Sequence, residues 1–407
     1  MNTLPAIKER SKRRSLGACR AKETGFTLVE LLIAMAVSAI VLLAVISLFW
    51  YQQRAYVQQA DLARGQAQVR ASLHLLARDI RMAGYTGIAL GMDLQNEQDK
   101  RVNLGLAKDQ LFPIRAWEGT TLADGTTLLN SPRYGQSEAI EVWGNFLRKT
   151  TTAADPYFAG ATGIKIRDHQ LLMDNYVNLI LIGMAEQISF HRITGVTAGN
   201  TTTPWTFTID PPLAVPMPAE ATVAPIQRRI FFVTPVAKKF GALTETVGTL
   251  YRRTYVADPT KDLSARYSNT CCTCYIDEEI ADRIDYLDFR YSLAELDPVA
   301  SLTLPTGKVT GKLDNSPDIS GSDNNNPPNP CAIRSVTLHL ISDTPVPLTA
   351  QGKRTGTPLS LDYAQDITPR NLGLYNHICS YANYDASISK YPDPESPCAL
   401  EGTTIGL

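Results

Sequence analysis

The sequence lacks the motifs of common enzyme classes and any strong excess of charge. It contains no His-Glu-x-x-His zinc motif and no Gly-x-Ser-x-Gly nucleophile elbow. Gly307-Lys308-Val309 lacks the hydroxyl residue and the upstream glycine of a phosphate loop. The formal net charge of −1 gives no support for nucleic-acid binding through a basic face. The five histidines are scattered along the chain: His74, His169, His191, His339 and His377. We therefore expect no catalytic site, no cofactor, no metal and no nucleic-acid partner.

One stretch is strongly apolar. It runs from Gly25 to Tyr51, and Glu30 is its single charged residue. A helix over 26–51 is long enough to cross a hydrocarbon core of about 30 Å. Seven basic and two acidic residues precede Gly25, which predicts a cytoplasmic N-terminus and export of everything after Tyr51. A carboxylate inside such a helix is unfavourable without a partner, so Glu30 is a candidate functional residue.

The junction Gly25-Phe26-Thr27-Leu28-Val29-Glu30 resembles the processing motif of type IV prepilins and pseudopilins. The resemblance implies that a prepilin peptidase removes the leader, residues 1–25, by cutting between Gly25 and Phe26. It also implies N-methylation of Phe26, and pairing of Glu30 with the terminal ammonium of a neighbouring subunit. A secretory signal peptide cut near Ala34-Met35-Ala36 and an ordinary single-pass anchor are the alternatives, and both leave Glu30 unexplained.

The apolar helix is predicted to continue as an amphipathic helix to about Ala83, because Leu62, Val69, Leu73, Leu76 and Ile80 recur at helical spacing. Gly84 is then expected in the left-handed capping conformation, with Arg78 and Arg81 at the negative end of the helix dipole.

The segment from Leu76 to Gly87 resembles the signature that closes the N-terminal helix of PilW-type minor pilins. A purely structural interpretation, solvated arginines and turn-forming glycines at a helix end, fits the same residues.

Beyond Gly87 the pattern favours short β-strands, so we predict an α+β fold: a long N-terminal helix over 26–83 and a β-rich, mainly antiparallel periplasmic head over 84–345. Seven segments are predicted as strands: 139–143, 179–182, 188–193, 230–236, 249–256, 284–293 and 333–341. Segments 283–291 and 333–338 also resemble the last strands of PilW and of J-type pseudopilins. Pro211 to Pro225 is expected to connect strands, and 313–330 to form a surface loop.

That surface loop contains Asp314, Asp318 and Asp323, but their spacing matches no EF-hand loop. We therefore favour a solvated insertion over a calcium site.

The cysteines predict disulfides. Cys19 leaves with the leader, and six remain on the exported side. We favour Cys379 with Cys398, which would staple a C-terminal region over 346–407. Cys331 then pairs with one of the remaining three, Cys271, Cys272 and Cys274. In one alternative each of these three pairs with a separate distant cysteine. In another the three bind zinc.

Resemblance to PilW implies a minor pilin that primes assembly of the type IV pilus and joins the complex at its tip, with roles in adhesion and twitching motility. The implied partners are the prepilin peptidase, the major pilin and other minor pilins, which pack through the N-terminal helix, and a large tip adhesin. The protein would wait in the inner membrane, with its head periplasmic, before it enters the extracellular pilus. The alternatives are a J-type pseudopilin of type II secretion and a membrane-anchored periplasmic enzyme.

Overall fold

The structure is a computed structural model of the 407-residue chain. It describes residues 27–86, 114–117, 120–294, 309–310, 333–343 and 360–369, with gaps inside 120–294 at 123, 185–186, 200–203, 211, 214–215, 241–242, 263–265 and 268–273. The chain divides into two compact units, Met1–Ala60 and Asp61–Leu407.

The predicted long helix is confirmed as α1, Leu28–Arg81. It ends two residues before Ala83, and Gly84 has a φ of 73°, the left-handed conformation expected of a capping glycine. The last turn carries Arg78 and Arg81, which stabilise the negative end of the helix dipole. A short helix, α2, spans Gln170–Asp174.

The other regular elements in the described residues are β-strands, which confirms the α+β fold class. Its sixteen strands are β1 Ile114–Trp117, β2 Asn130–Ser131, β3 Gly135–Gln136, β4 Ala139–Gly144, β5 Thr151–Thr152, β6 Gly163–Ile166, β7 Leu179–Met184, β8 Gln187–Thr197, β9 Trp205–Asp210, β10 Thr222–Phe240, β11 Leu243–Tyr255, β12 Tyr275–Asp282, β13 Ile284–Ala294, β14 Val309–Thr310, β15 Ile333–Asp343 and β16 Ser360–Ile367. Each of the seven predicted strands is present. All strand pairs are antiparallel.

The strands form a ten-stranded sheet, a four-stranded sheet and the small hairpin of β2 and β3. In the large sheet the order is β1-β4-β10-β7-β8-β9-β6. Strands β11 and β5 also pair with β10, and β12 pairs with β11. The smaller sheet has the order β14-β13-β15-β16. The long strand β10 is therefore the centre of the large sheet.

The expectation that Pro211 to Pro225 only connects strands is wrong at its end, because Thr222 to Pro225 belong to β10. Proline has no backbone N–H to donate to a ladder. Pro225 lies opposite Ile180 of β7, and Pro235 lies opposite Gly248 of β11. At both positions β10 pairs with a strand on one side only, which is the setting in which a sheet tolerates proline.

The two sheets lie very close together where β11 meets β13. A Cβ atom at Gly248 would lie 1.9 Å from the carbonyl oxygen of Ile284. A side chain cannot fit at this distance, so glycine permits the contact.

Two main hydrophobic cores result. The first joins the C-terminal part of α1 to both sheets and contains Val69, Leu76 and Ile80 together with Phe231 and Leu338. The second lies at the other end of the large sheet, around β5 to β9 and α2. The helical stripe predicted from sequence therefore packs against the β-rich part of the chain.

Candidate functional site

The start of α1 is a capping box. The backbone N–H and the hydroxyl of Thr27 each donate to Oε2 of Glu30, both at 3.0 Å. The Glu30 N–H donates back to the Thr27 hydroxyl oxygen at 3.2 Å. Thr27 is thus the N-cap and Glu30 the third helical residue, the reciprocal pattern that satisfies two free donors of the first turn. Gly25 and Phe26 lie outside the described residues.

The helix surface that follows Glu30 is apolar and exposed. No charged residue occurs between Glu30 and Arg54. Leu28, Ile40 and Leu43 are 76%, 68% and 67% exposed, and the neighbouring large apolar side chains are exposed as well. By length and composition α1 is the one described helix able to cross a membrane. A surface of this kind fits a membrane anchor.

The other end of α1 is held by a buried ion cluster around Asp79, which is 1% exposed. One carboxylate oxygen of Asp79 accepts from Nη1 of Arg229 at 2.6 Å and lies 3.5 Å from Nη1 of Arg252. The other oxygen accepts from the half-exposed Arg78 at 2.9 Å. Arg229 and Arg252 belong to β10 and β11, so the cluster joins the helix end to the centre of the large sheet.

Arg229 depends on these contacts because it is almost fully buried. Its guanidinium also donates to Gln227 at 2.8 Å and stacks over the ring of Phe146 at 4.3 Å. Burial lowers the pKa of Arg229, and the like charge of Arg252 acts in the same direction, whereas Asp79 opposes both. Asp79 is therefore the group that compensates the buried positive charge.

The residues after α1 continue onto the end of β4. The N–H of Gly84 donates to the carbonyl of Trp143 at 2.9 Å, and the N–H of Asn145 donates to the carbonyl of Tyr85 at 2.6 Å. A Cβ atom at Gly144 would lie 2.8 Å from the carbonyl oxygen of Met82. The described part of the segment from Leu76 to Gly87 is thus a connection between helix and sheet. The half-exposed Arg78 and the turn at Gly84 agree with the structural interpretation of this segment, which made no prediction for the buried Asp79.

A second cluster lies at the start of β13 and the end of β15. The register between these strands shifts at Asp285, and its carboxyl group forms a hydrogen bond with that of Asp343. Asp343 also accepts from Arg133 at 3.1 Å and from the Ser360 hydroxyl at 2.6 Å. Burial and the neighbouring Asp343 raise the pKa of Asp285 to about 7, although Arg133 and Arg283 oppose the shift.

The structure also brings together a serine and a histidine that the sequence analysis treated as unrelated. The Ser189 hydroxyl lies 2.6 Å from Nε2 of His191 on β8. Both residues are 1% exposed, so a substrate cannot reach this pair. Their contact is a satisfied internal hydrogen bond rather than an accessible nucleophile and base.

Cys274 is disulfide-bonded. The other cysteines of the predicted framework lie outside the described residues: Cys271, Cys272, Cys331, Cys379 and Cys398. Asp314, Asp318 and Asp323 also lie outside them. Their pairing stays a prediction. Among the described residues, no group of three or more histidine, cysteine, aspartate or glutamate side chains is arranged to hold a metal ion.

Residues 20–46 match the family model of the prokaryotic N-terminal methylation motif. No curated protein and no solved structure has significant similarity to the chain. The matched span includes the Gly25-Phe26 junction, Thr27 and Glu30, together with the first part of the exposed apolar helix. The motif and helix support a type IV pilin-like prepilin, the class that includes pilins and pseudopilins. Such a motif implies processing by a prepilin peptidase and assembly with other pilins.

Proposed function

We propose that the protein is a minor pilin of the type IV pilus, similar to the PilW family. The match to the methylation motif at the start of an exposed apolar helix carries this proposal. Cleavage falls between Gly25 and Phe26, and Phe26 becomes the methylated N-terminus. The protein then waits as a single-pass inner-membrane protein with its head in the periplasm, and it later enters the tip complex of the pilus.

The capping box supports an account of how the Glu30 carboxylate is satisfied before and after assembly. An unpaired carboxylate is unfavourable in hydrocarbon, and the two donors of Thr27 satisfy Oε2 of Glu30 before assembly. Cleavage after Gly25 leaves the Thr27 N–H intact, since Phe26 remains attached to it. In the assembled fibre, Glu30 pairs with the terminal ammonium of a neighbouring subunit. Assembly thus replaces the hydrogen bonds between Thr27 and Glu30 by an ion pair in a medium of low dielectric constant, where the attraction between charges is strong.

The same account divides the chain into four proposed segments. Residues 1–25 are a removable leader, residues 26–83 form the helix with its membrane part at 26–51, and residues 84–345 form the head. Residues 346–407 form a region stapled by Cys379 and Cys398. Partners are the prepilin peptidase, the major pilin, other minor pilins and a large tip adhesin. The protein carries no catalytic function in this account.

A J-type pseudopilin of type II secretion is the second candidate, because pseudopilins share the processing motif that residues 20–46 match. Deletion of the gene separates the two candidates. The minor-pilin proposal predicts loss of surface pili and of twitching motility with normal secretion of exoproteins. Secretion lost with normal pili would assign the protein to the secretion system. Complementation with the intact gene controls for effects on neighbouring genes.

A further inference from the structure

The tryptophan and tyrosine residues of α1 are confined to one short part of the helix. They are Trp50, Tyr51 and Tyr56, and they follow directly on the charge-free apolar run. Arg54 lies among them and is the first charged residue after Glu30. The helix thus passes from mostly apolar side chains, through side chains with an apolar body and a polar tip, to a charged residue.

These side chains surround the helix. Trp50, Tyr51 and Tyr56 are 58%, 73% and 73% exposed, and Arg54 is exposed as well. At about 100° per residue, Tyr51 and Tyr56 lie about 100° and 240° around the helix axis from Trp50. A protein partner or a second copy packs against one stripe of a helix, whereas side chains spread around the axis fit a medium that encloses it. We call Trp50, Tyr51, Arg54 and Tyr56 the aromatic girdle.

The chemistry of the girdle identifies that medium as the boundary between hydrocarbon and water. Indole and phenol rings bury an apolar body and keep a polar N–H or O–H among the headgroups, so tryptophan and tyrosine concentrate at the surfaces of a bilayer. The planar guanidinium of Arg54 is shaped to donate paired hydrogen bonds to phosphate, the group that phospholipids present at this depth. Its apolar stem lets the charge reach the headgroups from a position near the hydrocarbon.

The spacing between the girdle and Glu30 agrees with this boundary. At 1.5 Å per residue, Glu30 and Trp50 are about 30 Å apart along the helix, which is the thickness of a typical hydrocarbon core. The two ends of the apolar run can therefore reach the two surfaces of one bilayer. Glu30, whose carboxylate accepts from Thr27, stands at one end, and the girdle stands at the other.

We propose that the aromatic girdle binds the phospholipid headgroups at the exported surface of the inner membrane and thereby fixes the depth of α1 in the bilayer. Glu30 and Trp50 then mark the two boundaries of the hydrocarbon, and Ile40 lies at its centre. The inference rests on the proposed function in one respect, that α1 crosses the inner membrane. No contact with another pilin enters the argument.

Depth-dependent quenching of tryptophan fluorescence tests the proposal. The protein purified from the membrane is reconstituted in phosphatidylcholine vesicles whose acyl chains are brominated either near the headgroup or near the terminal methyl group. Trp50→Phe removes the tryptophan of α1 and leaves the other three of the chain, so the difference from the wild type reports position 50. Ile40→Trp and Leu32→Trp, each made in the Trp50→Phe chain, report the centre and the opposite boundary, and both positions are exposed.

We expect position 50 to lose more fluorescence with bromine near the headgroup than with bromine near the methyl group. Position 32 should behave in the same way, and position 40 should show the reverse order. The order should not change when the ratio of lipid to protein is raised, because lipid surrounds the girdle. A pattern that appears at high protein density and vanishes on dilution with lipid would show a contact between copies and would overturn the proposal.

Two further results at position 50 would also overturn it. Stronger quenching by the deep bromine would place the girdle inside the hydrocarbon. Quenching by iodide in the water, with none from either lipid, would place it outside the bilayer. The mature mass of the same preparation separates this inference from the prepilin assignment. A chain that begins at Phe26 but fails the depth test refutes the proposed depth alone, whereas a different N-terminus with the expected depth refutes the prepilin assignment alone.

The part assigned to Arg54 has its own test. A charge is unfavourable in hydrocarbon, so Arg54 limits how far the helix can sink. Arg54→Leu should shift the quenching of position 50 towards the deep bromine, and Arg64→Leu, at an exposed arginine beyond the girdle, should leave it unchanged. Equal quenching profiles for Arg54→Leu and the wild type would contradict a role for Arg54 at the headgroups.

Discussion

The carboxylate of Asp79, two residues before the end of α1, lies 2.6 Å from Nη1 of Arg229 on the central strand β10. These residues are 150 positions apart in sequence, and both are buried. The ion pair therefore joins the long helix to the sheet at a buried position. Its loss affects stability more than the loss of a surface pair would.

Asp79→Ala should destabilise the head by about 3 to 5 kcal/mol, because it leaves the buried positive charge of Arg229 without compensation. Chemical denaturation of the full chain in detergent measures this loss. Arg78→Ala is the matched control, since the Arg78 side chain is 51% exposed and contacts the same carboxylate. We expect about 1 kcal/mol or less for the control. Equal effects of the two substitutions would contradict the anchoring role of Asp79.

The pair Asp285 and Asp343 predicts a pH dependence of stability. The pKa of Asp285 is raised to about 7 in the folded chain and returns to about 4 on unfolding. Between these values the folded state holds a proton that the unfolded state has lost. The contribution of this group to stability is therefore full below pH 4, falls as the pH rises towards 7, and is lowest above 7.

Asp285→Asn should remove this slope and should raise stability at pH 8 by about 1 to 2 kcal/mol, a value reduced for solvent screening of a half-exposed group. Urea denaturation at pH 5 and pH 8 measures both effects. Asp168→Asn is the control, because Asp168 is exposed and lies between β6 and α2, away from this cluster. A pH slope that persists unchanged in Asp285→Asn would show that other groups cause it.

Glu30→Ala should be processed normally but should assemble poorly. In the proposed fibre contact, the substitution removes the partner of a buried ammonium, at a loss of a few kcal/mol for each contact. Counts of surface pili and twitching motility measure assembly, and the amount of mature protein in the membrane measures processing. Thr27→Ser, which keeps the hydroxyl of the capping box, serves as the control and should behave as the wild type. Normal pili in Glu30→Ala would refute the assembly role.

The disulfide prediction can be tested by digestion without reduction. Trypsin should cut after Arg370 and Lys390, which places Cys379 and Cys398 on different peptides. The peptide 371–390 should then be found joined to the peptide 391–407. If this disulfide forms, closure of the loop should contribute about 3 kcal/mol in the chain-entropy account of disulfides. Either peptide attached to the one that carries Cys274 would replace this pairing by the alternative in which clustered cysteines reach distant partners.

Local patterns predicted much of the fold. The apolar run and the stripe from Leu62 to Ile80 are periodic over many residues, so the helix and its buried face followed from sequence. Alternation identified β15, where Val336, Leu338 and Leu340 are indeed buried. Gly84 was identified as the cap because glycine is the usual residue for that conformation.

Long-range contacts account for what the sequence did not predict. Strand β12 reads Tyr-Ile-Asp-Glu-Glu-Ile-Ala-Asp, which is too acidic to indicate a strand. It forms beside β11 because Arg252 and Arg253 pair with Glu278 and Asp277 across the ladder. Asp79 follows Leu76 of the apolar stripe by three residues, so helical spacing places it on the buried side of α1. Its partners, distant in sequence, gave no local signal.

Intact-mass spectrometry of the mature protein, purified from the membrane, tests the central claim most directly. The account predicts a chain that begins at Phe26 and carries one added methyl group, and Gly25→Val should leave the full chain uncut in the membrane. A mature protein that retains Met1, or one that begins near Val37, would contradict the assignment as a prepilin.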